Sequence, residues 1–259
     1  MRILVFADLH YFGDPIETAL FNTKQKLVRF AEPLLEKLTA LLQADDICIN
    51  LGDIIQDTND KQKDLDCLQY MFGKIKEMPC PCYSLLGNHD LKMMDTVKEV
   101  EDIVGHPSTF SMDVGGFHLV FFTTALRPEL GLGRGGIFKT QYVSDETLLW
   151  LKKDLAANTL PALVFTHFGL AEDSTLEDEC LFMKNRQAVK DILKKDKHLV
   201  AVFSGHQHRT KTHVEDGVIY YHLGSMTALG DTAGVPSGVY FELLLDDTNL
   251  TVTEKHIIL

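Results

Sequence analysis

The chain has 259 residues, of which 45% are hydrophobic and 24% charged, and a formal net charge of −12. That balance excludes a disordered or collagen-like chain and supplies enough apolar residues for a core without staples. It also disfavours a general nucleic-acid binder, which needs a basic surface to displace counterions.

Residues 2–7 form a short apolar run that stops at Asp8, which predicts a buried strand. The run is too short for a signal peptide, and none approaches the ~18 residues of a membrane helix. A cytoplasmic protein with no membrane partner is expected. In residues 23–43, Leu27, Phe30, Ala31, Leu34, Leu35, Leu38, Leu41 and Leu42 have helical spacing. Next come a strand at 46–51, an amphipathic helix at 61–77, a strand at 82–86 and a helix at 92–104. Cys80-Pro81-Cys82 enters the third strand. With five cysteines and no framework spacing, these read as buried free thiols rather than a redox or metal pair.

The βαβαβα order predicts a parallel sheet covered by helices. Gly115-Gly116, between runs 109–114 and 117–124, signals a hairpin. A Gly-rich stretch follows from Arg127 to Gln141. Within it, Gly131-x-Gly133-x-x-Gly136 matches the dinucleotide fingerprint but does not lie directly between a strand and a helix, so it reads as a loop. A helix at 145–157 starts after Ser144, a good N-cap. A strand at 162–166, a helix at 185–195 and a strand at 199–204 resume the rhythm, and strands and turns alternate from about 210, with a hairpin at Asp246-Asp247-Thr248-Asn249. There is no repeat and no linker. The prediction is an α/β chain forming one domain over residues 1–259, a two-sheet β-sandwich flanked by helices.

Five polar clusters directly follow apolar strands: Asp8-Leu9-His10, Gly52-Asp53, Gly87-Asn88-His89-Asp90, Thr166-His167 and Gly205-His206-Gln207-His208. Ligands of open α/β sheets bind beyond the carboxyl ends of strands. Imidazole, carboxylate and amide oxygen suit Mn, Fe or Zn. In an extended segment, residues two apart point the same way, so each His-containing pair can face one site. Seven candidate ligands are too many for one tetrahedral ion and suit two ions sharing a carboxylate.

Taken in order, these motifs resemble the calcineurin-like metallophosphoesterase family over residues 8–208. The resemblance implies a four-layer αββα fold and a hydrolase of phosphate esters that uses two metal ions. It implies that Asp8, His10 and His208 hold one metal and that Asn88, His167 and His206 hold the other, with Asp53 bridging. His89 would contact the scissile phosphate or protonate the leaving oxygen, and Asp90 would orient or polarise His89. Arg127, Arg134 and Arg186 are candidate phosphate contacts, although the Arg127–Lys139 loop reads equally as a solvated basic loop. His222, in Tyr221-His222-Leu223-Gly224-Ser225, is a candidate for lining the substrate cleft.

The expected substrate is a small phosphodiester or a nucleotide-like pyrophosphate, with no nucleic-acid partner. Gly52-Asp53-Ile54-Ile55 and the stretches around Ser144–Leu151 and Cys180–Arg186 look similar to manganese-dependent ADP-ribose/CDP-alcohol diphosphatases. His10 instead has the form common in cyclic-nucleotide and glycerophosphodiester phosphodiesterases. A phosphomonoesterase is the alternative. A protein-binding scaffold of the same fold is disfavoured, because all seven ligand positions and His89 are present.

Overall fold

Alternate residues of the first strand face two different cores, and this sets the layering. The computed structural model describes residues 1–13, 25–124, 142–170, 183–227, 235–247 and 249–259. In strand β1 (Arg2–Phe6), Ile3 and Val5 point into one apolar cluster, while Leu4 and Phe6 point into another. A strand buried on both faces reads as a continuous apolar run.

Five strands form the first sheet: β1, β2 (Ile47–Asn50), β3 (Cys82–Ser84), β10 (Val239–Asp246) and β11 (Asn249–His256). Their order is β11-β10-β1-β2-β3, with β1, β2 and β3 parallel and β10 antiparallel to both neighbours. The second sheet comprises β4 (Phe110–Val114), β5 (Phe117–Phe121), β6 (Ala162–Phe165), β7 (Leu199–Ser204), β8 (Lys211–Glu215) and β9 (Val218–His222), in the order β4-β5-β6-β7-β9-β8. Its four central strands are parallel and both edge strands antiparallel. The sequence reading of two sheets flanked by helices agrees with this architecture.

Helices α1 (Ala31–Leu41) and α2 (Lys61–Lys76) bury Leu34, Leu35, Leu38, Leu68, Met71 and Phe72 against the first sheet. Helices α5 (Asp145–Ala157) and α6 (Arg186–Leu193) bury Leu151, Leu155, Val189 and Leu193 against the second. The remaining cluster lies between the sheets. There Phe110, Phe121, Phe165, Phe203 and Tyr221 stack across five neighbouring strands, at successive centroid distances of 4.6, 5.0, 5.1 and 5.0 Å. Cross-strand aromatic pairs add packing energy beyond their buried area.

Ser144 caps α5 as expected, its Oγ accepting from Thr147 N at 3.1 Å. Two boundaries differ from the sequence reading. The predicted 23–43 helix opens as a 3-10 turn over Gln25–Phe30 before α1 begins. The predicted 92–104 helix is split into α3 (Asn88–Leu91) and α4 (Val97–Val104). The Asn88-His89-Asp90 motif therefore sits in a helical turn, nucleated where Asp90 accepts from the Gly87 N–H at 2.9 Å. No helix among the described residues is long and apolar enough to cross a membrane. Cys48, Cys67, Cys80 and Cys82 are free thiols, and Cys180 lies outside the described residues.

Candidate metal centre

Strands β1, β2, β3, β6 and β7 each end in a loop that carries a ligand candidate, and these loops are tied to one another. Asp8 N donates to Gly52 O and His10 N to Asp53 O, both at 3.0 Å, and Gly205 N donates to His167 O at 3.0 Å. Asp8, His10, Asp53, His206 and His208 all have positive φ, from 50° to 66°. This region is sparsely populated by residues other than glycine, and such strain gathers at functional sites. The Asp8 and His10 side chains therefore converge through left-handed turns and not, as the sequence reading supposed, through an extended segment. Glycines let the loops close: a Cβ on Gly87 would lie 2.1 Å from Asp53 Oδ1, and one on Gly205 2.6 Å from Asp8 Oδ2.

Ligand atoms of Asp8, His10 and His208 lie within 4.8 Å of one another, as do those of Asp53, His167 and His206. A third such group joins His10, Asp53 and His89. Asp53 Oδ2 is 3.3 Å from His167 Nε2 and 3.9 Å from His10 Nε2, so it faces both sides of the cluster. Asn88 Oδ1 is 3.3 Å from His167 Nε2. His10 and His208 meet Nε2 to Nε2 at 2.9 Å. His206 and His208, two residues apart, fall in different groups.

Each carboxylate divides its oxygens between two tasks. Asp8 Oδ2 accepts from His206 N at 3.0 Å, and Asp53 Oδ1 accepts from His89 N at 2.8 Å. The other oxygens, Asp8 Oδ1 and Asp53 Oδ2, are buried without a hydrogen bond. An unpaired buried carboxylate oxygen is costly, and these two point at converging imidazole nitrogens. Burial pushes the Asp53 pKa up, but the nearby His167 and His89 prevail and hold it below the ordinary range. Burial lowers His206 to about 3, which leaves a neutral imidazole. Burial also works to lower His167, but the Asp53 carboxylate overrides it and raises His167 to about 9. The donor set, with its two orphaned oxygens, fits divalent cations of the Mn, Fe or Zn kind.

A family model for calcineurin-like phosphoesterases matches residues 1–210, a span that includes every one of these ligand candidates. The chain belongs to the calcineurin-like phosphoesterase family. A protein of Fibrobacter succinogenes described as a probable cyclic nucleotide phosphodiesterase is 26% identical over 179 residues, which are 68% of this chain and 62% of that protein. The chain thus spans less than two thirds of that relative. Among solved structures it is similar to a dimetal phosphatase of Danio rerio, with a TM-score of 0.70, 13% identity, and coverage of 99% of this chain and 96% of that one. It is also similar to the phosphopantetheinyl hydrolase of Mycobacterium tuberculosis, with a TM-score of 0.53, 14% identity, and coverage of 86% and 89%. At these identities the likeness shows the fold alone.

In this chain Asp90 does not orient the His89 ring. Its Oδ1 accepts from Ile54 N and Ile55 N at 2.9 and 3.2 Å, and its Oδ2 from Asp53 N and Gly87 N at 2.8 and 2.9 Å. The side chain is fully buried and moulds the Asp53 loop. Burial and the Asp53 carboxylate push its pKa up to about 7, against the pull of the backbone donors. The carboxylate that reaches His89 is Asp57, which accepts from Nδ1. Asp57 also accepts from Lys92 Nζ at 2.5 Å and Gln56 Nε2 at 3.3 Å. Sequence reasoning missed Asp57, although a carboxylate four residues beyond Asp53 in a loop after a strand was a usable signal.

The remaining candidates are placed differently. His222 is 2% exposed, at the end of β9, with Nδ1 2.8 Å from Ser204 Oγ on β7. Arg186 opens α6, and its Nη1 donates to Met183 O at 3.5 Å. Arg127, Arg134 and the glycine fingerprint of the same loop lie outside the described residues.

Proposed function

We propose that this chain hydrolyses small phosphodiesters or nucleoside-diphosphate derivatives at a two-ion centre. Asp8, His10 and His208 would hold one cation, Asn88, His167 and His206 the other, and Asp53 would serve both. The observation that carries this reading is the pair of orphaned oxygens, Asp8 Oδ1 and Asp53 Oδ2, each buried and facing imidazole nitrogens. Bound cations would supply Lewis acidity and charge neutralisation toward the phosphate oxygens.

The protein's own part is positioning and proton transfer. The backbone N–H of His89 anchors Asp53, and its ring lies beside His10 with centroids 4.8 Å apart. With both ring nitrogens protonated and the Nδ1–H donated to Asp57, the His89 imidazolium would give its Nε2 proton to the leaving oxygen and remain as the neutral imidazole. The Asp57 carboxylate orients the ring and favours its protonated form. The Asp57→Asn variant is expected to keep wild-type Mn²⁺ binding while kcat on alkyl diesters falls by about tenfold to a hundredfold. The loss should be smaller for p-nitrophenolate esters, whose leaving group needs little protonation. Equal losses on both ester types would assign Asp57 to phosphate positioning instead.

The preference for small substrates rests on the acidic balance of −12, which opposes long polyanions. The likeness to a probable cyclic nucleotide phosphodiesterase supports the diester reading. The test compares kcat/KM for bis-p-nitrophenyl phosphate, ADP-ribose and cyclic AMP with that for duplex DNA and a phosphopeptide, all with Mn²⁺. A macromolecule ahead by tenfold or more, about 1.4 kcal/mol of transition-state preference, would overturn it. If p-nitrophenyl phosphate outruns its bis ester by that factor, the chain is a phosphomonoesterase.

A further inference from the structure

Segment 222–227 lies beyond the residues matched by the family model and contains none of the proposed ligands, yet it is stitched residue by residue to two ligand-bearing loops. His222 Nδ1 meets Ser204 Oγ, and Leu223 N donates to Ser204 O, both at 2.8 Å. Gly224 N donates to Thr210 Oγ1 at 3.1 Å. These three contacts grip the loop that carries His206 and His208, two at Ser204 before it and one at Thr210 after it. The next three residues grip the Asp8–His10 loop. Ser225 Oγ donates to Asp8 O at 2.7 Å, Met226 N to Ala7 O at 3.0 Å and Thr227 Oγ1 to Leu9 O at 3.1 Å. The segment is itself anchored where β10 begins, because Ser237 Oγ donates to Ser225 O at 2.6 Å and Gly238 N to Met226 O at 2.8 Å.

Ser225 and Thr227 are fully buried. Their hydroxyls satisfy the carbonyls of Asp8, whose φ of 55° the loop must maintain, and of Leu9. A buried carbonyl left without a donor is costly, so the hydroxyls hold the Asp8 loop at one distance from the His208 loop. Asp8, His10 and His208 form one ligand group, and its members come from these two loops alone. The second group shares only His206 with these loops and draws Asp53 and His167 from loops that these six contacts do not touch.

We infer that segment 222–227 is a brace that positions the Asp8–His10–His208 group and tunes cation affinity there more than at the Asp53–His167–His206 group. Ser225 and Thr227 are positioning residues. This rests on the two-ion reading above.

The test is calorimetric titration with Mn²⁺ of the full chain, wild type and variants, with thermal unfolding of each as a control on the fold. The wild type is expected to take up two ions. In Ser225→Ala/Thr227→Val, one of the two affinities should fall by about tenfold or more while the other stays within twofold. Thr227→Val alone, which is close to isosteric, should show the same selective loss in weaker form. Thr227→Ser, which keeps the hydroxyl, should match the wild type. Unchanged affinities in the double variant, or equal weakening of both ions, would overturn the brace. A wild type that takes up no Mn²⁺, or one ion only, would overturn the two-ion reading, and the brace with it.

Discussion

Asp53→Asn is expected to abolish turnover and strip metal from the protein. The side chain is 1% exposed and is already oriented by its neighbours. Its Oδ1 accepts from His89 N at 2.8 Å, so an asparagine must turn its carbonyl oxygen to that donor. The amide NH₂ then takes the place of Oδ2, 3.3 Å from His167 Nε2, where a ligand lone pair is required. An N–H₂ group cannot ligate a cation, and the anionic charge is lost as well. Outer-shell changes at metal sites cost about tenfold to a hundredfold, so a direct ligand facing both groups should cost more than about a hundredfold in kcat. The measurement is kcat at saturating Mn²⁺ together with metal content by elemental analysis, with circular dichroism to confirm the fold. Near-normal activity would remove Asp53 from the centre.

The largest effect on stability should come from Asp90. Its two oxygens accept four backbone N–H groups, three of them from the successive residues Asp53, Ile54 and Ile55. In Asp90→Ala all four donors lose their partner inside the protein. Each unsatisfied buried donor costs about 1–3 kcal/mol. Even if the loop relaxes enough to rescue half of them, a loss of about 2–6 kcal/mol is expected. For a chain of this size even the lower bound is a fall in Tm of roughly 4–8 °C. The Mn²⁺ content should fall too, because the loop that presents Asp53 is no longer moulded. Asp90→Asn should be nearly as harmful, since one of its two amide positions turns N–H₂ toward backbone N–H donors. A Tm within about 2 °C of wild type for Asp90→Ala would show that the loop holds its shape without the carboxylate.

Asp57 and Asp90 show where the sequence reading failed on residue roles. Both stand close to His89, one in the chain and one in space. Chain proximity favoured Asp90, which is adjacent to His89. The α3 turn sends the Asp90 side chain back under the Asp53 loop, because a helical residue three after Gly87 naturally meets the first-turn N–H groups. The ring of His89 leaves on another face of the same turn and reaches Asp57. A helix over 92–104 gave no hint of this geometry, since it placed the turn too late in the chain.

Much of the remainder was legible beforehand. Apolar runs that end in a carboxylate or a glycine located the five loops, because a strand buried on both faces must be apolar and the first polar residue marks its mouth. Helical spacing located α1, α2 and α5, and Ser144 marked the start of α5. These are local properties, expressed within a few residues. The sequence by itself therefore determined the layers, the strand ends and the list of residues able to hold cations. Tertiary structure alone decided which of them meet: Asp8 with the His206 backbone across 198 positions, and Ser225 with the Asp8 carbonyl across 217. It also decided that His222 is buried against Ser204, and that Asp8, His10, Asp53, His206 and His208 take left-handed backbone. The reason is that periodicity records which face of an element is buried, whereas a hydrogen-bond partner depends on how the two sheets are packed face to face.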